Sequence, residues 1–314
     1  MQKTRIHSSR FRRFLRSLYT YKGLLLMMLP AIVFFAVFRY APMYGVTVAF
    51  KDFKVKKGIL GSPWADPATK YFIRMFNNPS FMRAFKNTLV ISILKILFTF
   101  PAPIIFAIML NEVRNTAFKK TIQTVTYLPH FMSWIVVAGL MRVLLSPVDG
   151  VINDIIVALG GNKIRFLMEP KWFRPLVVLS SLWKNVGWGS IVYLAALTGI
   201  DPQLYEAADI DGANGVQKFT RICLPLLKPT TIYVLTISIY AGLAMFTESY
   251  MIFGGNNSPK NYGLTIVGYL YRYGFEKVDK FGFASAVGLV LLVGAMIITV
   301  AQLFITGTIG RKED

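Results

Sequence analysis

The chain has 314 residues, 54% of them hydrophobic and only 16% charged, with a mean hydropathy of +0.51. A soluble domain averages about 25% charged residues, so there is too little polar surface here for a soluble fold, and too much hydrophobicity for a disordered one. The net charge of +20 would suggest nucleic acid in a soluble chain, but no RNP, zinc-finger or basic-zipper pattern occurs, and a membrane protein places such an excess in loops and at headgroups. The single cysteine, Cys223, excludes an intrachain disulfide and reads as a small apolar filler. Two histidines, His7 and His130, exclude a multi-histidine metal centre.

In chain order, an acid-free basic tail at 1–23 (Lys3, Arg5, Arg10, Arg12, Arg13, Arg16, Lys22) comes first. It resembles a signal-peptide n-region, but no small-residue cleavage site follows, so the next apolar run reads as an uncleaved anchor. Six runs approach the roughly 20 apolar residues that a span needs: 24–41, 88–110, 122–145, 176–199, 230–253 and 284–305. The expected fold is therefore an all-α integral membrane protein with six transmembrane helices. Pro30, Pro101 and Pro103 fall inside spans and mark kinks or close packing. Residues 42–87 are expected to form an extracytoplasmic loop, 88–305 a core of five spans, and 306–314 a cytoplasmic tail. The loops at 146–175 and 254–285 are also assigned outside, the latter with the turn signal Gly254-Gly255-Asn256-Asn257. Lys and Arg number 15 on the inner segments and 16 on the outer loops, so totals do not set the orientation. The acid-free tail beside the first span does, and it places both termini in the cytoplasm.

The loop at 200–229 is unlike the others. Asp201 and Pro202 suit an N-cap and first helical position, residues 203–210 suit helix, and Gly212 suits a left-handed stop. A second helical stretch at 216–224 is expected to break at Pro225, with Pro229 opening the next span. Such a loop presents a short helix, a glycine turn and another short helix at the membrane surface.

Glu206-Ala207-Ala208, then Gly212, then Ile222-x-Leu224-Pro225 resembles the EAA signature of binding-protein-dependent ABC importer permeases. Asp211-Gly212-Ala213 and Ile200-Asp201-Pro202 resemble the carbohydrate branch, which includes the maltose permeases. The similarity extends to Asn87-Thr88-Leu89, Ser146-Pro147 and Gly150-Val151-Ile152-Asn153, and covers roughly residues 77–307. Tyr40-Ala41-Pro42-Met43-Tyr44-Gly45 and Tyr127-Leu128-Pro129-His130 look like the subgroup that handles fragments of complex polysaccharides. The resemblance implies a bacterial inner-membrane subunit whose Glu206 helix docks into a cytoplasmic ATPase. It also implies two such ATPase subunits, a second and different permease, an extracytoplasmic solute-binding protein and an oligosaccharide cargo. No GxxxxGK[ST] sequence occurs, so ATP and Mg belong on the partner ATPase, and this chain is neither an enzyme nor a cofactor binder.

Ionisable groups inside spans are costly and by default functional. Lys95, Lys184 and Glu248 are such groups. Around Lys184 lie Asn185 and Trp188, with Tyr250 beside Glu248, and indole faces, amides and ammonium groups suit sugars. Two readings stand for these six residues. They line a translocation path, or Lys184 pairs with Glu248 to tie two helices while the indoles belong to an aromatic belt. Arg39 and Arg142 read as headgroup anchors and His130 as a packing or capping group. The outer loops sum to a net +9, which suits an acidic binding protein or uronate-containing glycans such as alginate or pectin fragments. An ion-coupled secondary transporter is the alternative. It would show an inverted repeat or broken helices, and the sequence signals neither.

Overall fold

The computed structural model describes residues 19–253, 263–277 and 280–308. The basic tail ahead of Tyr19, the Gly254–Asn257 turn and the chain beyond Thr308 lie outside the described residues. Helix α1 (Lys22–Phe35) runs through a π-turn (Ala36–Tyr40) into a 3-10 segment (Ala41–Phe50). The helical path thus extends past the expected end at 41. Pro42 has no N–H to return to the turn before it, and a π-turn ahead of proline absorbs that missing bond. No residue of α1 is buried.

A short helix, α2 (Lys70–Phe76), leads to α3 (Pro79–Phe98) and α4 (Pro101–Glu112), which break at Thr99-Phe100 where Pro101 starts the new helix. Then come α5 (Thr116–Tyr127), a 3-10 turn (Leu128–Phe131), α6 (Trp134–Leu144) and α7 (Val151–Ala158). The long α8 (Pro170–Thr198) is followed by α9 (Pro202–Ile210) and α10 (Gly215–Lys218). The last elements are α11 (Lys228–Leu243), α12 (Thr247–Phe253), α13 (Ile266–Tyr271) and α14 (Phe281–Ile305).

Three helical segments are long and apolar enough to cross a membrane: 22–50, 79–112 and 281–305. Two bent pairs, 116–131 with 134–144 and 215–226 with 228–243, bring the candidates to five. Three expectations change here. The run at 122–145 is not one straight span but turns by 103°, because Met132 and Ser133 are extended and Ser133 caps a fresh helix at Val136 N. The run at 230–253 is interrupted at residues 244–246, between α11 and α12. Pro225 does not break its segment. It sits in a helical turn, Leu224–Leu226, and the 64° bend comes after it at Leu227. Helices broken within spans are therefore present, although hydropathy gave no sign of them.

In lipid, apolar contact between helices gains little over contact with acyl chains, so packing relies on small residues and on polar pairs. Gly187 is one such point. A Cβ there would stand 2.2 Å from the Thr126 carbonyl oxygen, so only glycine lets α8 lie directly on α5. Four clusters hold the bundle, one of which, Ile239, Leu243 and Ala295, joins α11 to α14. Ile91, Ala138, Phe173, Met245 and Ile252 join α3, α6, α8 and α12. Met75, Phe81, Tyr269 and Phe283 join α2, α3, α13 and α14. Ala107, Tyr193, Leu197, Cys223 and Leu227 tie the segment after α10 to α4 and α8. Cys223 is buried there as the small filler its type suggests.

The loop at 42–87 is itself folded. Lys51 is buried, its ammonium donating to the Ile59 carbonyl (2.7 Å) over the Trp64 ring. Asp52 accepts from Lys70 (2.9 Å) and from the Tyr71 hydroxyl (2.7 Å). The Tyr71 hydrogen bond, then Lys70, hold the Asp52 carboxyl below its ordinary 3.8. Burial, aided by the same hydrogen bond, pushes Tyr71 up to about 12.

A carboxyl lowered in the folded state adds stability that is full above its unfolded value and is lost as pH falls through the folded one. Asp52→Asn should lower stability at neutral pH by under about 1 kcal/mol for so exposed a pair, with a correspondingly lower melting temperature. Melting curves from neutral to acid pH check this. Native and variant should converge once the native carboxyl protonates, and a gap that persists in acid would refute the assignment.

Candidate functional site

Two regions gather the residues singled out by sequence: a polar centre inside the bundle and an exposed turn at one end of α8. In the polar centre, Lys184 is buried and donates to the carbonyls of Pro129 (3.2 Å), His130 (2.5 Å) and Met132 (2.6 Å). An ammonium has three protons, and all three are engaged. Lys184 is therefore committed to backbone carbonyls and does not pair with Glu248. It caps the carbonyl end of the helical segment at the 103° bend, where a cation also suits the negative end of the helix dipole.

Glu248 pairs instead with Lys95, the two side chains 12% and 15% exposed. This buried ion pair joins α3 to the start of α12. Asn185 shares a hydrogen bond with His130 Nδ1 (3.2 Å), and the His130 ring lies parallel to Trp188 at 4.5 Å. Phe131 meets the same indole edge-on at 5.4 Å. His130 is thus a packing group that fixes the bend against α8. Tyr250, two residues after Glu248, lies against Phe246 and Tyr271. Of the six path candidates, Lys95 and Glu248 come together, as do Asn185 and Trp188, while Lys184 is committed to backbone. Arg142 is not a free headgroup anchor, because its Nη2 donates to the Met251 carbonyl at 2.7 Å.

Sequence reasoning missed the groups that close the break at 244–246. Thr265 Oγ1 donates to the Met245 carbonyl (3.0 Å), and Ser249 Oγ to that of Gly263 (2.6 Å). Asn87 Nδ2 donates to the Leu264 carbonyl (3.3 Å), and Thr88 Oγ1 accepts from Ile266 N (2.9 Å). Asn87 and Thr88, the first two residues of the matching tripeptide Asn87-Thr88-Leu89, hold the segment that returns at 263–266. Asn153 is likewise fully buried and bonds Ser146 and Ile164 at both backbone polarities.

The exposed turn is built from local signals. Asp201 caps α9 through Gln203 N (3.0 Å), with Pro202 at the first position. Gly212 has φ +74°, and Ala213 N and Gly212 N return to the carbonyls of Ala208 (2.8 Å) and Asp209 (3.1 Å). That is a Schellman stop, which the left-handed glycine permits. Asn214 and Gln217 then form a capping box on α10, and Lys218 pairs with Asp209 across the turn. Glu206, Ala207, Asp211 and Gly212 are exposed and Ala208 half-buried. On the return limb Ile222 is half-buried, Leu224 and Pro225 exposed, and Cys223 and Leu227 anchor the limb in the core.

Residues 99–309, which contain the whole turn and most of the polar centre, match the binding-protein-dependent transport system inner membrane component family. The chain belongs to this family. It is a multi-pass inner-membrane permease subunit of an ABC importer, and permeases of this family are not catalytic and carry no cofactor of their own. This permease is 42% identical over 278 residues to a polygalacturonan/rhamnogalacturonan transport system permease of Bacillus subtilis (strain 168), covering 88% of this chain and 85% of that one. It is 37% identical to an arabinooligosaccharides transport system permease of the same organism, over 74% of each chain. A crystal structure of a bacterial ABC transporter involved in import of the acidic polysaccharide alginate superposes with a TM-score of 0.85 at 37% identity, over 95% of this chain and 100% of that one. The alginate transporter in complex with alginate pentasaccharide-bound periplasmic protein gives 0.84 at 37% identity, over 94% and 97%.

Lys184→Met strands three carbonyls that lie at a helix break. The loss should be on the order of 3 kcal/mol in stability, whatever the cargo, with Lys184→Arg recovering part of it. Melting of the purified permease checks this. A Lys184→Met protein that melts with the native one would remove the capping role.

Proposed function

We propose that this permease imports oligosaccharides, with uronate-containing chains such as pectin or alginate fragments as its preferred cargo, and takes its driving force from ATPase subunits that seat on α9. The single observation that carries the coupling role is the construction of the turn after α8. It is capped at both helix starts, stopped by Gly212 and braced by the Asp209–Lys218 pair, yet it leaves Glu206 and Ala207 exposed. A surface turn held this firmly transmits force rather than absorbing it. Ala207 and Ala208 allow close approach, and Glu206 offers a carboxylate to basic groups of the ATPase.

The topology that fits is six crossings, with α8 as the fourth. Its 29 residues reach about 44 Å, and its polar residues Ser180, Ser181, Lys184 and Ser190 are buried within the bundle. The turn and both termini then face the cytoplasm, where the basic tail belongs. The folded 42–87 loop faces outward to receive a solute-binding protein. A second, different permease completes the pathway, and the Lys95–Glu248 pair, Asn185, Trp188 and Tyr250 lie along it. Support for acidic cargo comes from the relatives that handle polygalacturonan and alginate, and from the net +9 of the outer loops. The arabinooligosaccharide relative favours a second reading, a neutral pentose cargo.

The complex reconstituted in vesicles with its ATPases and binding protein tests both parts. The native complex should take up oligogalacturonate or alginate oligosaccharides, and uptake of arabinooligosaccharides alone would replace the acidic reading with the neutral one. Gly212→Pro forbids the positive φ, and Glu206→Lys places repulsion at a contact worth on the order of 2–5 kcal/mol. Each should insert normally yet cut cargo-stimulated ATP hydrolysis by about tenfold or more. Full activity in both variants would refute α9 as the coupling element.

A further inference from the structure

Four aromatic rings form a continuous row that nothing in the polar centre requires. Phe246 and Tyr250 are one turn apart at the head of α12, 4.9 Å between centroids. Tyr271, the last residue of α13, meets both, at 5.1 Å and 5.5 Å. Phe275, one turn further along the π-turn Arg272–Glu276, stacks on Tyr271 at 5.2 Å. Two i,i+4 pairs on separate short helices thus meet and extend each other.

The row has direction. Its inner end, Phe246, stands two residues from Glu248 and its ion pair with Lys95. Its outer end, Phe275, is 75% exposed and followed by exposed Glu276 and Lys277. An apolar ring so exposed beside charged neighbours leaves a face on which a ligand can stack. The three inner rings are half-buried, so each keeps an open face or edge. Among the described residues neither the Tyr250 nor the Tyr271 hydroxyl has a hydrogen-bond partner, leaving both free for a ligand's hydroxyl groups.

We propose that this row is a sugar-stacking track leading inward from the outer face to the interruption between α11 and α12, taking successive pyranose rings of a linear oligosaccharide. The idea rests on the oligosaccharide reading above. Sugar CH faces lie on the rings while the two tyrosine hydroxyls bond ring hydroxyls, and contacts shared among four rings favour sliding over tight capture. A lipid-facing belt is the competing use of exposed aromatics. It would line the perimeter of spanning helices, whereas this row runs across two short helices, α12 and α13, and starts beside the interruption at 244–246.

The test uses the full complex in vesicles, with labelled oligogalacturonate presented on its binding protein at a limiting concentration. Phe275→Leu, Tyr271→Leu and Tyr271→Trp are compared. Leucine keeps apolar bulk and removes the ring face. Losing one stacking face should lower uptake by about five- to tenfold in each leucine variant, while assembly and melting temperature hold and Tyr271→Trp, which keeps a ring face but not the hydroxyl, loses clearly less than Tyr271→Leu. Uptake unchanged in both leucine variants, as a lipid-facing belt predicts, would overturn the track. Equal loss in Tyr271→Leu and Tyr271→Trp would also overturn it, since packing rather than a ring face would then be at stake. Native uptake of the labelled sugar is measured in the same assay. If it is present while the variants are normal, the track alone fails; if it is absent, the oligosaccharide reading fails and the track with it.

Discussion

Every backbone carbonyl and N–H within the hydrocarbon needs a partner, and a helix that breaks there frees several at once. This permease breaks its helices at 99–100, 132–133 and 244–246, and much of its internal polarity exists to satisfy those breaks. Lys184 covers three carbonyls at the sharpest bend. Thr265 reaches the Met245 carbonyl, and Asn87 and Thr88 hold the returning segment in place. The groups that look most like ligands for a cargo are thus divided between those that hold the backbone and those that the backbone does not use.

The division has a mechanical consequence. Helix α8 carries Lys184, Asn185 and Trp188 on the face that grips the bend, and its far end leads directly into Asp201 and the exposed turn. Tyr193 and Leu197, near that end, pack on Cys223 and Leu227 of the return limb. A push on α9 is therefore delivered to α8 through a covalent link and a packed one. With Gly187 seated on the Thr126 carbonyl, α8 and α5 have no room to slide past each other.

How far this could be read from sequence depends on how local the signals are. The turn was legible because its makers are neighbours: Asp201 and Pro202 start α9, and Gly212 stops it within ten residues. The capping box of Asn214 and Gln217 is just as local, with both partners three residues apart in sequence. The bend at Met132 was not legible. The run at 122–145 is apolar throughout, and its break is stabilised by Lys184, more than fifty residues away. The ion pair was half legible. Two cations and one acid inside spans announce a pair, but only the fold decides that Lys95 takes Glu248 and that Lys184 turns to backbone. The aromatic row needed the fold as well, since Phe246 and Tyr271 are neighbours only through the return of the chain at 263–266.

The most direct measurement places a single thiol on α9 of the assembled complex. Cys223→Ala removes the only native thiol, which is buried and small, and Glu206→Cys adds one at the exposed face of the turn. A short bifunctional cross-linker should then join this permease to the ATPase chain, and an impermeant thiol reagent added outside intact cells should leave residue 206 unlabelled. Labelling from outside, or a complex that hydrolyses ATP yet yields no cross-link to the ATPase from this position, would contradict the coupling role of α9.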